Sequence, residues 1–239
     1  MRTALVTGGS AGLGLALSRA LVSEGWTVVT DGRSSSRLAQ TFAGVPRVVA
    51  LPGDIADPTH RAALVEEVER QGRLDLLVHN ASSLGPLPMR RLAELTADQL
   101  QAVWAVNTAA PLALTRALLP HLHRSGGVLL SLSSDAAVEH YETWGAYGAT
   151  KAALDHLTLT IGLEEGLRAY AVDPGDMRTA MHADAFPGED ISGLPLPASV
   201  VPHLLTLLGS GPPSGHYRAA DLPVDTAGAG AGQATAATR

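Results

Sequence analysis

A chain of 239 residues, 46% apolar and 17% charged, can bury a full core, which excludes a disordered protein. Its formal net charge of -6 argues against nucleic acid as an obligate partner, because that role needs a basic face. With no cysteine, it has no disulfide framework, thiolate nucleophile or cysteine metal site.

Short apolar, β-branched runs alternate with longer amphipathic stretches, the pattern of repeated βα units around a parallel sheet. In chain order, strands are predicted at Thr3–Thr7, Thr27–Asp31, Arg47–Leu51, Leu74–His79, Val128–Ser133 and Arg168–Asp173, with a short seventh at Gly215–Ala219. Helical patterns fall at Gly12–Glu24, Ser34–Ala43, Pro58–Gln71, Thr96–Arg124, Gly145–Glu165 and Pro197–Leu208. Asp57-Pro58 reads as an N-cap with proline at the first helical position, and Thr96 with Gln99 as a capping box. Met177–Leu196, with Pro187 and Pro195, is expected to be irregular. It follows a strand's carboxyl end, where open α/β sheets bind ligands, so it is either a substrate lid or a plain connection. Met181, Phe186 and Leu194 are its candidate pocket residues.

From Thr226 the chain is rich in Ala, Gly and Thr, so one domain over 1–225 and a flexible tail over 226–239 are expected. No stretch approaches the roughly 18 apolar residues of a membrane span. The first residues lead straight into a strand without the layout of a secretory signal. A soluble cytoplasmic protein without a membrane partner is the expectation. No histidine–carboxylate cluster has metal-ligand spacing, so no catalytic metal is expected.

The first predicted strand ends in Thr7-Gly8-Gly9-Ser10-Ala11-Gly12-Leu13-Gly14, which opens a helix. Glycines let a backbone turn tightly against a pyrophosphate, whose charge is met by the free N–H groups of a helix N-terminus. The same residues also read as G-x-S-x-G, the nucleophile elbow of a hydrolase with Ser10 as nucleophile. Position disfavours that alternative, because an elbow caps an interior strand rather than the first one. The second strand ends Asp31-Gly32-Arg33. A ribose-reading residue is expected about 20 positions past the glycines. Arg33 falls there and suits the 2′-phosphate of NADP. Asp31 is expected to point the other way.

Of 17 basic residues, 16 are arginine and one, Lys151, is lysine. An ammonium is a compact charge with a tunable pKa, whereas a guanidinium stays protonated, so the single exception invites a chemical reason. Tyr147 precedes it by four residues, which puts the two on one helix face. A neighbouring ammonium favours a phenolate, so Lys151 is expected to lower the pKa of Tyr147 toward the range of a general acid–base.

The ordered set of motifs resembles the short-chain dehydrogenase/reductase family, in its compact single-domain branch, over nearly the whole chain to about Leu222. Thr7–Gly14 is similar to the family's T-G-x-x-x-G-x-G. Gly53-Asp54-Ile55 matches the acid on the adenine amine, and Asn80-Ala81 matches the N-A of N-N-A-G. Asn107 matches the helix asparagine, and Ser134 lies 13 residues before Tyr147 in Y-x-x-x-K. Pro174-Gly175, with Met177 and Thr179, matches the segment that holds the nicotinamide carboxamide. His79 and Ser82 depart from N-N-A-G in a turn expected to tolerate substitution, and the stretch from Lys151 to Pro174 is slightly short.

The resemblance implies a Rossmann-type α/β fold, a doubly wound parallel sheet of six to seven strands in three α/β/α layers. It implies an NAD(P)-dependent oxidoreductase acting on a carbonyl or alcohol, with NADP(H) favoured by Arg33 and NAD(H) as the alternative. Tyr147 would be the general acid/base and Lys151 would hold the nicotinamide ribose. Ser134 would bind the substrate oxygen, and Asn107 would bind a water that passes protons outward. A homodimer or homotetramer built on the two long helices is implied as well. A nucleotide-sensing protein without turnover is the further alternative.

Overall fold

Seven parallel strands run in the order β3-β2-β1-β4-β5-β6-β7 in the computed structural model, which describes residues 1–224. The expected tail from Thr226, and the domain's end at residue 225, lie outside the described residues. The strands are β1 (Thr3–Val6), β2 (Thr27–Gly32), β3 (Val48–Pro52), β4 (Leu76–His79), β5 (Val128–Leu132), β6 (Arg168–Asp173) and β7 (Gly215–Arg218). The helices are α1 (Gly12–Ser23), α2 (Ser35–Phe42), α3 (Pro58–Gln71), α4 (Ala97–Trp104), α5 (Ala110–Ser125), α6 (Gly145–Glu165), α7 (Ala180–Ala185) and α8 (Pro197–Ser210).

Helices cover both faces of the sheet, so its central strands are buried throughout and mostly apolar rather than alternating. Every residue of β1, β4 and β5 is buried. Successive side chains still divide between two cores, as the pleat requires. Ala4 and Val6 pack with Leu17 and Leu21 of α1 and Leu204 of α8. Leu5 packs with Leu64 of α3 and Leu114, Leu118 and Leu122 of α5. Burying each such leucine contributes about 1.5–3 kcal/mol. The order reverses beside β1, where β2 lies on one side and β4 on the other, and a crevice opens there at the carboxyl ends. This is the doubly wound Rossmann-type arrangement.

Caps behave as the sequence suggests. Asp57 accepts from Thr59 N at 2.8 Å at the start of α3, and Thr96 and Gln99 form a reciprocal capping box. The predicted helix Thr96–Arg124 is continuous over Ala97–Ser125 but not regular α throughout. Between α4 and α5 a π-helical turn spans Ala105–Ala109 and carries Asn107 and Thr108 inward. A wider turn shifts the side chains that follow, and single π turns recur at functional sites. The segment Met177–Leu196 is also more ordered than expected. Thr179 Oγ1 accepts from His182 N at 3.1 Å and starts the short helix α7.

One further correction concerns membranes. Ala97–Ser125 is long and apolar enough to span one by length and composition, with a best-window mean hydropathy of 1.2 and 44% of that window buried. In the fold its apolar positions Leu114, Leu118 and Leu122 pack on the sheet.

Candidate active site

The carboxyl ends of β1, β2, β4, β5 and β6 open into a cleft of about 480 Å³. Its floor at one end is the glycine turn. Gly8 (φ 71) and Gly12 (φ 56) adopt the left-handed backbone that favours glycine. A Cβ at Gly12 would meet only Thr179 Cγ2, at 3.7 Å, so the turn is an open cradle. No side chain caps the first turn of α1, which leaves its backbone N–H groups for an anion. These features fit a dinucleotide pyrophosphate.

Three expected site residues brace the cleft rather than line it. Thr7 is buried, and its Oγ1 accepts from Asn80 N at 3.0 Å and Ala81 N at 3.1 Å while donating to Val78 O at 3.2 Å. Gly14 packs beneath Gly8 and Asn80. Asn107 sits under the wall, where Nδ2 donates to Ser83 O and Thr150 Oγ1, both at 2.9 Å. Its Oδ1 accepts from Ser83 N at 2.8 Å. The other expected residues line the cleft: Gly8, Ser10, Gly12, Leu13, Arg33, Asp54, Ile55, Asn80, Ala81, Ser134, Tyr147, Lys151, Pro174, Gly175, Met177 and Thr179.

Gly14 gives a test of the brace. A Cβ there would lie 2.3 Å from Asn80 Nδ2 and 2.6 Å from Gly8 O, displacing an amide that donates to Thr7 O at 2.7 Å. Overpacking costs about 1–3 kcal/mol, which outweighs the roughly 1 kcal/mol of helix propensity that alanine gains over glycine. Gly14→Ala is therefore expected to lower the melting temperature and weaken dinucleotide binding together. An unchanged melting curve would contradict the packing.

At the other end, α6 presents Tyr147 and Lys151 one turn apart, 7% and 3% exposed. Lys151 Nζ donates to Leu132 O at 2.7 Å and lies 5.5 Å from the Tyr147 ring centroid. The expectation that Lys151 lowers the phenol's pKa is not met. Burial pushes Tyr147 up to about 12, opposed only in part by hydrogen bonds from Ser134 and Ser82. Burial pushes Lys151 down to about 8, with Asp155 holding it up against that trend. Both groups share one dry wall, and desolvation penalises each charged form more than the pair repays.

Two neighbouring serines separate cleanly. Ser134 lines the cleft and reaches the Tyr147 hydroxyl. Ser133 is buried and donates to Asp155 Oδ2 at 2.5 Å. The two departures from N-N-A-G also differ. His79 faces the core, with Nε2 2.7 Å from Thr115 Oγ1, and burial and then Lys151 hold its pKa down at about 3. Ser82 is no idle turn residue, for its hydroxyl meets both Tyr147 and Asn107 Oδ1, the latter at 3.4 Å.

Several lining residues escaped the sequence reading. Arg37 joins Arg33, and its position four residues on is a signal that spacing offered. Asp31 lines the cleft as well, contrary to expectation. Trp144 packs edge-on against Tyr147, with centroids 5.6 Å apart. Of the three expected pocket residues, Met181 lines the cleft but Phe186 and Leu194 do not; Phe186 lies tilted behind Trp144, with centroids 5.6 Å apart. Ser10 Oγ has no hydrogen bond to a histidine or acid among the described residues, as an elbow nucleophile would need.

A Rossmann-type sheet with an open glycine turn at its switch point and a Tyr–Lys pair in the same cleft defines a nucleotide-dependent oxidoreductase. Residues 2–190 match the family model for short chain dehydrogenase. The chain belongs to that family, whose members use NAD(P). It is 34% identical to the uncharacterized oxidoreductase YciK of Escherichia coli over 220 residues, covering 87% of this chain and 86% of that protein. It is also 34% identical to the (S)-benzoin-forming benzil reductase of Saccharomyces cerevisiae, over 75% of this chain and 73% of that one. A short chain dehydrogenase of Shigella flexneri, solved in complex with NADP, superposes with a TM-score of 0.83 at 31% identity, covering 92% and 97% of the two chains.

Proposed function

We propose that the protein is an NADP(H)-dependent carbonyl reductase/alcohol dehydrogenase in which Tyr147 is the general acid/base. The observation that carries this reading is the Tyr147 hydroxyl within reach of the Ser134 and Ser82 hydroxyls, in the wall of a cleft that also carries Arg33 and Arg37. When bound, the nicotinamide supplies the hydride that adds to the carbonyl carbon.

The glycine turn and the N-terminus of α1 hold the pyrophosphate, and Asp54 and Ile55 flank the adenine. Arg33 and Arg37 take the 2′-phosphate, a task suited to a guanidinium fork. Pro174, Gly175, Met177 and Thr179 form the wall for the nicotinamide carboxamide. Lys151 holds the adjoining ribose. Ser134 orients the substrate oxygen toward Tyr147, which gives it a proton as the carbonyl is reduced. A phenol held near 12 keeps that proton until the oxygen takes it.

Asn107 is a positioning residue in this scheme. Its side chain is spent on Ser83 and Thr150, so it fixes the turn that presents Ser82 rather than holding a water by that side chain. Leu84, Met181 and Trp144 make the substrate end apolar and favour carbonyls with an aryl or alkyl body.

The test mixes the protein with NADPH and a panel of aromatic and aliphatic ketones and aldehydes. Loss of reduced nicotinamide matched by alcohol is the expected result. NADPH binding with no carbonyl turned over would support the sensor reading instead. Ser82→Ala, which removes one of two donors to the phenolate, is expected to slow turnover by about tenfold, as one lost hydrogen bond of about 1–1.5 kcal/mol implies. NADPH affinity should be unmoved; an unaltered rate would reduce Ser82 to a turn residue.

A further inference from the structure

Asp31 is the only acid on β2. It stands at the end of that strand, beside the place where a dinucleotide's adenosine ribose is read. A free carboxylate there suits the ribose hydroxyls of an NAD site and repels a 2′-phosphate. In this chain it is not free. Oδ1 accepts from Gly8 N at 2.6 Å, and Oδ2 lies 3.0 Å from His60 Nε2. A carboxylate oxygen only accepts, so Nε2 is the donor.

His60 is the third residue of α3, brought in from outside the sheet. It is 8% exposed and seated against Gly53, where a Cβ would come within 2.1 Å of its ring. Glycine at that position is what lets the imidazole in. The following residue, Gly32, leaves no room for an acid of its own, since a Cβ there would lie 2.7 Å from Ser10 Oγ. Beyond it the cleft is cationic, with Arg33 and Arg37.

We propose that His60 is a specificity-determining residue of the cofactor site: it holds Asp31 against the glycine turn, withdraws that carboxylate from the ribose end, and leaves the end to Arg33 and Arg37. The role rests on the NADP reading above. It assigns the preference to a residue of α3 that touches the acid rather than the cofactor. Removing the imidazole frees Oδ2 to take a ribose hydroxyl and places an unmasked charge near the phosphate, and like charges in such a contact cost affinity steeply.

The experiment measures NADPH and NADH dissociation constants by calorimetry for the wild type, His60→Leu, His60→Gln, Asp31→Asn and the double variant His60→Leu/Asp31→Asn. In His60→Leu the preference for NADPH over NADH is expected to fall by about tenfold or more, and to return in the double variant. His60→Gln, which keeps an N–H donor, is expected to hold the preference. A fall in melting temperature with an unchanged preference in His60→Leu would make His60 a packing residue and overturn the proposal.

Should His60→Leu fail to fold, Asp31→Asn still decides. It keeps the acceptor for Gly8 N and removes the charge, with the amide NH2 facing His60 in its other tautomer, so a masked carboxylate predicts a change in preference below about threefold. A tenfold gain in NADPH affinity would show that Asp31 already repels the phosphate, again overturning the role. Tighter binding of NADH by the wild type would refute the NADP reading itself, and with it the masking of Asp31. That outcome shows in the wild type alone, separately from the variants.

Discussion

Tyr147→Phe is expected to lower carbonyl reduction by about 10²–10⁴-fold while leaving NADPH affinity near the wild-type value. The substitution removes a single oxygen. The ring keeps its edge contact with Trp144 at 5.6 Å and its place beside Leu84 and Ala136, so the wall survives. Ser134 and Ser82 lose a partner, but the cleft is open and water can replace it. The loss should therefore fall on turnover and not on binding or stability. Steady-state rates, a fluorescence titration with NADPH and a melting curve check the three parts separately. A variant that still reduces carbonyls at the wild-type rate would remove Tyr147 from the proposed chemistry, whatever the resemblance suggests.

Lys151→Met should abolish both turnover and tight NADPH binding, and should also erase a pH dependence of stability. The buried ammonium has its pKa pushed down to about 8 from an ordinary 10.5. Below about 8 the folded and unfolded chains both hold the proton. Between about 8 and 10.5 only the unfolded chain does, so stability rises with pH across that window, by up to about 1.4 kcal/mol per pH unit. Denaturant unfolding at several pH values from 8 to 10.5 should show this rise in the wild type beyond that of the methionine variant. Parallel curves would mean that Lys151 keeps its ordinary affinity for a proton. In the wild type, reduction is also expected to decline above about pH 8 as the ammonium is lost, well before Tyr147, at about 12, gives up its proton.

Much of the fold is legible in the chain because its signals are local. Glycines that need a positive φ, a capping box at Thr96 and Gln99, and strands buried on both faces each act over a few residues. Helices α3 and α6 fall where the pattern places them, at Pro58–Gln71 and Gly145–Glu165. The π turn inside the helix predicted at Thr96–Arg124 was not legible. Hydrophobic periodicity runs through the π turn at Ala105–Ala109, and the reason for that turn, an asparagine bonded to Ser83 and Thr150, lies on other elements.

The same division holds at the site. The spacing of Tyr147 and Lys151, with lysine used once, marks the pair in the sequence, because a helix repeats every 3.6 residues. What the pair does to its own pKa values was decided by tertiary structure. Sequence counts charges along a helix, whereas solvation depends on everything packed around them, and here burial outweighs attraction. Asp31 teaches the same lesson. Strand alternation alone turned it away from the cleft, and only the packing of α3 onto β2 set His60 beside it, 29 residues further on. The sequence by itself determined the order of strands and helices along the chain, the glycine turn and the Tyr–Lys pair. Which charges meet, and which lose their water, was settled only when distant elements closed over one another.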